Sequence, residues 1–165
     1  MPLERDFVIG NRWKFHRKKN IEGQIGVKYS NLNHEGGFHD HFSGEDPNHE
    51  QHWRMKSKTR RLEFWSKTGY IFPNRPEMSI GLQLSTAFHN QEAEFGFQRY
   101  NADEHTIYSN LIFQNIFNNG HIIRTGLSYQ RDKVEELVDK ASGFFTREES
   151  TPGVYAEYTL SLIHI

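Results

Sequence analysis

Long and short connections alternate strictly along this chain between segments that all carry a two-residue hydrophobic period. The segments fall near 6–16, 21–32, 59–72, 78–88, 105–117, 121–131 and 152–160. Arg17-Lys18-Lys19-Asn20, Pro73-Asn74-Arg75-Pro76-Glu77 and Asn118-Asn119-Gly120 form the short connections. Polar stretches at about 33–58 and 89–104, and a third between 131 and 152, form the long ones. A period of two is the side-chain repeat of a β-strand. Consecutive strands with short turns at one end and long loops at the other trace an antiparallel up-and-down meander of about seven strands, the threading of a transmembrane β-barrel. A soluble sandwich has no physical reason to sort its loops by length.

Composition excludes several classes. No window approaches the eighteen or more apolar residues of a membrane helix. The mean hydropathy of −0.80 is compatible with outer-membrane strands, of which only every second residue faces lipid. A net charge of −1 gives no electrostatic footprint for nucleic acid. The absence of cysteine excludes disulfides, thiolate chemistry and Cys-based metal sites. Met1-Pro2-Leu3-Glu4-Arg5 has neither a basic n-region nor an apolar h-region, so it is not a signal peptide. The expectation is therefore one segment over 1–165, an internal piece of something longer.

The two faces are distinct. Phe7, Ile9, Trp13 and Phe15 oppose Asp6, Arg12, Lys14 and His16; Ile21, Ile25, Val27 and Tyr29 oppose Glu22, Gln24, Lys28 and Ser30. The fourth segment sets Met78, Ile80, Leu82, Leu84 and Phe88 against Ser79, Gly81, Gln83, Ser85 and Ala87. The sixth sets Ile123, Thr125, Leu127 and Tyr129 against Arg124, Gly126, Ser128 and Gln130. Segments three and five are mixed, with Ser66 and Ser109 on the apolar faces and Trp65, Ile71, Ile112 and Ile116 on the polar ones. Alternation alone does not say which face is outside. A lipocalin-like soluble barrel, binding a small apolar ligand, would turn the apolar face inward. Runs of about ten to thirteen residues suit a tilted bilayer-spanning strand better than the five or six of a globular strand. Charges of both signs on the opposite face suit a wet lumen, lined by Arg12, Lys14, Glu22, Gln24, Lys28, Gln83, Arg124 and Gln130. Aromatics collect at both strand ends: Phe15, Phe72 and Phe117 beside the short turns, and Phe7, Tyr29, Phe88 and Tyr129 towards the long loops. Such paired girdles mark the two membrane interfaces. Phe7 to Phe15 spans roughly 26 Å of strand at about 3.3 Å per residue; tilted by about 40°, it rises near 20 Å, close to the roughly 25 Å apolar band.

The stretches Arg61-Leu62-Glu63-Phe64-Trp65-Ser66-Lys67-Thr68-Gly69-Tyr70-Ile71-Phe72 and Ser79-Ile80-Gly81-Leu82-Gln83-Leu84 resemble the barrel of TonB-dependent outer-membrane receptors, and most of all the Bacteroidota type. Tyr108-Ser109-Asn110-Leu111-Ile112-Phe113-Gln114, Arg124-Thr125-Gly126-Leu127-Ser128-Tyr129 and Pro152-Gly153-Val154-Tyr155-Ala156-Glu157-Tyr158-Thr159 are similar to the same region. The likeness covers 5–159, all of it middle barrel. It implies a large barrel in the cell outer membrane, plugged by an N-terminal domain and driven by the TonB complex. Such receptors import ferric siderophores, haem, cobalamin or glycans. Plug and remaining strands are absent from this sequence, and the tail at 160–165 does not continue the pattern, as a gene-fragment or sequencing artefact would not.

Catalysis finds no support. Glu135-Glu136 and Glu148-Glu149 are sequence neighbours without a burying environment, and Gly36-Gly37 is a turn rather than a phosphate loop. Lys133 to Ala141 places Val134, Leu137, Val138 and Ala141 at helical spacing, which predicts a short helix in the third long loop. The first long loop holds five of the ten histidines, His34, His39, His41, His49 and His52, interleaved with acids including Asp40. Imidazole suits zinc, copper, nickel and iron, so these residues and the His39-Asp40-His41 unit are candidate ligands for a transition metal or a metal chelate; the spacing is not that of a closed zinc site, and a solvated, variable polar loop is the explanation the composition favours over metal capture. The expectation is thus a non-enzymatic piece of a transporter or receptor with no intrinsic cofactor. Its partners would be outer-membrane lipid, the TonB complex through the missing plug, and a small-molecule ligand, most of all a metal chelate; a small passive or structural outer-membrane barrel is the remaining alternative. A peptide of the histidine-rich loop is predicted to bind zinc or copper above neutral pH and to lose it steeply towards pH 5, because protons compete for nitrogens whose ordinary pKa is about 6.5. Calorimetry at pH 7.5 without saturable heat would remove the metal reading.

Overall fold

The computed structural model describes residues 3–15, 20–37, 54–117, 120–138 and 143–160. They form one seven-stranded sheet in the order β1-β2-β3-β4-β5-β6-β7, every neighbour antiparallel. The strands are β1 (Leu3–Phe15), β2 (Ile21–Gly37), β3 (Arg54–Phe72), β4 (Arg75–Phe95), β5 (Gln98–Phe117), β6 (His121–Val138) and β7 (Gly143–Leu160). The up-and-down meander anticipated from the two-residue period is the observed fold.

The strands are longer than the apolar pattern predicts. β4 has 21 residues and β5 has 20, roughly 70 Å of chain at about 3.3 Å per residue, against the 9–11 residues that cross a bilayer. The extra length lies at the end opposite the short turns. There the alternation continues in polar residues, Asn90, Glu92 and Glu94 against Asp103, Asn101 and Arg99, so hydrophobicity reveals nothing while the backbone ladder persists. The 89–104 stretch is therefore a correction: it is paired strand, closed by Gly96-Phe97 between the partners Phe95 and Gln98. Gly96 takes φ 60°, the left-handed conformation that the first position of a II′ hairpin turn demands, and its N–H donates to the Arg54 carbonyl at 2.7 Å. The helix expected from Lys133 is also corrected, since Lys133–Val138 pair strand to strand with Tyr100–His105; tertiary pairing overrides a short helical spacing. Ala141 lies outside the described residues.

At the opposite end the register carries geometric information. Phe15, Ile21, Tyr70, Ile80 and Phe113 stand in one transverse row. The turn after β1 leaves from that row, the turn after β3 leaves two residues beyond it at Phe72, and the turn after β5 leaves four residues beyond it at Phe117. Each hairpin is displaced by two residues, roughly 6.6 Å, across two strand spacings of about 4.8 Å each. That slope is roughly 35°, within the strand tilt that barrel closure imposes.

The sheet has no conventional core. The buried hydrophobics among the described residues are Ala87, Ala93 and Ala102, and no large side chain is fully buried. Packing comes instead from aromatic rings laid over glycines in neighbouring strands. Trp13 lies over Gly23, Trp65 over Gly26 and Tyr155 over Gly126. Tyr155 crosses β6 and donates its hydroxyl to Asn110 Oδ1 on β5 at 3.2 Å. A Cβ on Gly126 would sit 2.3 Å from Tyr155 Cζ, so Gly126→Ala must swing the ring away and strip buried Asn110 of its partner. The expected loss is about 1–3 kcal/mol. Gly81→Ala, whose Cβ meets only the Thr68 carbonyl at 3.9 Å, is expected to be neutral or stabilising by about 0.5 kcal/mol. Urea unfolding of both variants in detergent measures the contrast.

Candidate functional site: two opposed faces of one sheet

Because the ladder is continuous, each transverse row presents its side chains to one face. Phe7, Tyr29, Leu62 and Phe88 form one row. Ile9, Val27, Phe64, Thr86 and Ile107 form the next, and Ile25, Leu84 and Tyr129 share the row below it. These rows, with Leu82, Leu111, Leu127 and Val154 beneath them, make one apolar band. Val154 is 82% exposed, Phe7 60% and Ile25 57%, so the band is uncovered. Continuous apolar surface of this extent marks contact with a partner or a membrane.

The band ends abruptly. Immediately beyond it on the same face stand Asn31, Arg60, Asn90, Asp103 and Glu135 in one row, and Lys58 and Glu92 in the next. Ion pairs join Lys56 to Glu35 at 3.3 Å and Arg60 to Glu92 at 3.9 Å. Lys133 lies 2.6 Å from Glu135, and that hydrogen bond holds its ammonium pKa above the ordinary value. On β5 the change comes at His105, whose ring stacks on Phe88 at 4.4 Å and whose Nε2 lies 3.0 Å from Thr86 Oγ1.

The aromatic residues singled out from the sequence all belong to the strands of this band. Phe7, Tyr29 and Phe88 share the row at its edge. Tyr129 stands four residues nearer the turns than Lys133, its strand's member of that row, as a band crossing inclined strands requires. At the turn end Phe72 meets Tyr70 edge-on at 5.3 Å, Phe117 pairs with His121, and the backbone of Phe15 pairs with Ile21.

The opposite face carries all eight polar residues read as a group. Arg12 and Lys14 both lie 3.9 Å from Glu22, and Lys28 lies 3.4 Å from Asp6. Arg124 bridges three strands, donating through Nε to Gln114 at 2.8 Å and through a terminal nitrogen to Glu157 at 3.1 Å. Gln130 donates to Asp132 at 2.8 Å. Gln24, Lys67 and Gln83 are consecutive partners in one row. Half-exposed pairs contribute about 0–1 kcal/mol each, so these charges tune the surface rather than hold the sheet. Further along, Tyr100 donates to Glu136 at 2.9 Å; burial, then this bond, holds the phenol pKa above its ordinary value.

His34 is exposed at the end of β2 on the polar face, opposite Ser57. His39, Asp40, His41, His49 and His52 lie outside the described residues, among which no group of three or more potential metal ligands converges. Sequence reasoning missed the Gln114–Arg124–Glu157 bridge, the crossing of Tyr155 to Asn110 and the charged rows above the band. The first two need cross-strand register, and the third lies in stretches whose polar composition reads as loop.

No family model matches the chain, and no curated protein matches it. Among solved structures, the chain is similar to the ferric citrate transporter FecA in its unliganded form, with a TM-score of 0.73 at 8% sequence identity. The match covers 97% of this chain and 25% of that one, so this sequence spans about a quarter of the transporter's length. The likeness is one of fold: a run of seven barrel strands.

Proposed function

We propose that this chain is a section of the wall of an outer-membrane receptor that imports a scarce nutrient, its apolar band toward lipid and its polar face toward the lumen. The observation that carries this reading is the uncovered apolar band, bounded by charged rows and backed by an ion-paired face. In hydrocarbon every backbone polar group needs an internal partner, which a sheet of this kind supplies across its ladder. The side on which side chains are buried supports the same orientation: Ser57, Ala87, Ala93, Ala102 and Asn110, the buried residues other than glycine among those described, all stand on the polar face. A soluble barrel holding an apolar ligand would bury Leu82 and Leu84, which are 40% and 45% exposed.

The fold likeness to a transporter supports import rather than catalysis, and the strand-and-turn stretches between 61 and 159 support a receptor of the Bacteroidota TonB-dependent type. On this reading a plug domain couples the barrel to TonB, and the imported ligand is a metal chelate, drawn first to the histidine-rich segment 34–52 at the cell surface. The siderophore, haem or cobalamin class rests on that segment.

Orientation is tested by single cysteines in lipid-reconstituted protein. A membrane-impermeant maleimide is expected to label Gln83→Cys and Gln24→Cys and to spare Leu82→Cys and Leu84→Cys; the reverse pattern would overturn the membrane reading. Leu84→Arg is expected to cost about 2–4 kcal/mol in lipid, measured by urea unfolding from vesicles.

A further inference from the structure

On the polar face, Trp65 breaks the pattern of its surroundings. Its row reads Gly10, Gly26, Trp65, Ser85, Tyr108. The indole lies flat across β2: a Cβ on Gly26 would be 2.3 Å from Trp65 Cζ2, and one on Gly10 3.5 Å from the same atom. Two glycines at paired positions in adjacent strands clear this space, so one ring face seats on backbone and the other is presented outward. Trp65 remains half-exposed. Beside it opens a cavity of about 460 Å³ lined by Gln24, Glu63, Trp65, Lys67, Gln83 and Tyr108.

The rim of this cavity is mostly polar, with Leu84 the one aliphatic residue in its lining. Gln24, Lys67 and Gln83 stand side by side on three adjacent strands, one row from the indole. Cross-strand neighbours are about 5 Å apart, the width of one six-membered ring. Among the described residues neither the two amides, nor the Lys67 ammonium, nor the Tyr108 hydroxyl has a hydrogen-bond partner. Glu63 supplies an acceptor on the other side, steadied by Arg61 at 3.4 Å. A flat apolar platform edged by donors and acceptors at ring spacing fits a solute that is apolar on its face and hydroxylated at its edge.

We infer that this cavity is a wall subsite for a six-membered ring bearing neighbouring hydroxyl groups, stacked on Trp65 with its hydroxyls held by Gln24, Lys67, Gln83 and Glu63. The inference rests on the polar face being the lumen side, and it names a ligand chemistry for that face. Two sources share the chemistry, a pyranose sugar and a catechol.

The test is tryptophan fluorescence of the lipid-reconstituted protein, titrated separately with methyl β-glucoside and with catechol. Saturable quenching is expected with at least one probe; the probe that quenches identifies the source. Trp65→Phe should abolish the saturable component. Gly26→Ala, which displaces the indole without removing it, should weaken binding at least tenfold, and Gln83→Ala about fivefold, the share of one hydrogen bond. Gly81→Ala should bind as the parent does. No saturable quenching by either probe, in protein whose Gln83→Cys variant labels as expected in lipid, overturns the subsite and leaves the receptor reading standing. Reversed labelling removes both, and quenching that survives Trp65→Phe overturns the assignment to this cavity.

Discussion

The continuous antiparallel ladder from β1 to β7 is the constraint on which everything else depends. It satisfies backbone N–H and C=O groups between neighbouring strands without any covering layer, leaving the outer edges of β1 and β7 to be paired for use in hydrocarbon, which admits only helices and closed sheets. Once neighbours are locked in register, a period of two in the sequence becomes a difference between two surfaces, and a one-residue slip would exchange them. The sheet therefore tolerates having no hydrophobic core. What a globular protein gains by burying large side chains would, on the proposed orientation, come from lipid on the apolar side.

Register also converts side-chain size into shape. A ring can lie over a neighbouring strand only where that strand offers no Cβ, and the pairs Trp13–Gly23, Trp65–Gly26 and Tyr155–Gly126 occur on both faces. They tie strands laterally where hydrogen bonds alone would leave a flexible sheet. The displacement of two residues per hairpin is the second consequence. It inclines the strands, and the edge of the apolar band crosses the transverse rows obliquely, from Phe88 on β4 to Tyr129 on β6. An upright strand would keep both aromatic residues in one row.

The two ends of the sheet differ in composition. Near the short turns apolar and polar residues alternate; beyond Phe88 polar residues predominate on both faces of β4 and β5, yet the ladder continues to Phe95 and back from Gln98. The wall thus rises past the apolar band as a charged collar. On the proposed orientation this collar would stand above the outer leaflet, and ligands would meet it before they meet the row of Gln24, Lys67 and Gln83.

How much of this was legible in the sequence follows from the range of each interaction. Period-two alternation is local, so the strands, their order, the two faces and even the anomalous placements of Trp65, Ser66 and Ser109 could be read from neighbouring residues. Strand ends could not, because 89–104 and 133–138 remain strands through cross-strand hydrogen bonds between residues whose own hydropathy and spacing point to loop or helix. The reason Trp65 tolerates the polar face was equally hidden: it lies in glycines about 40 and 55 residues away in sequence, brought beside it by register. The histidine-rich segment is a matter of composition, and whether its imidazoles converge is decided by a fold that local spacing does not specify. By itself the sequence determined that this chain makes strands with one apolar and one polar face. Only tertiary pairing decided how long they run, how steeply they incline and which side chains meet, because those depend on partners far apart along the chain.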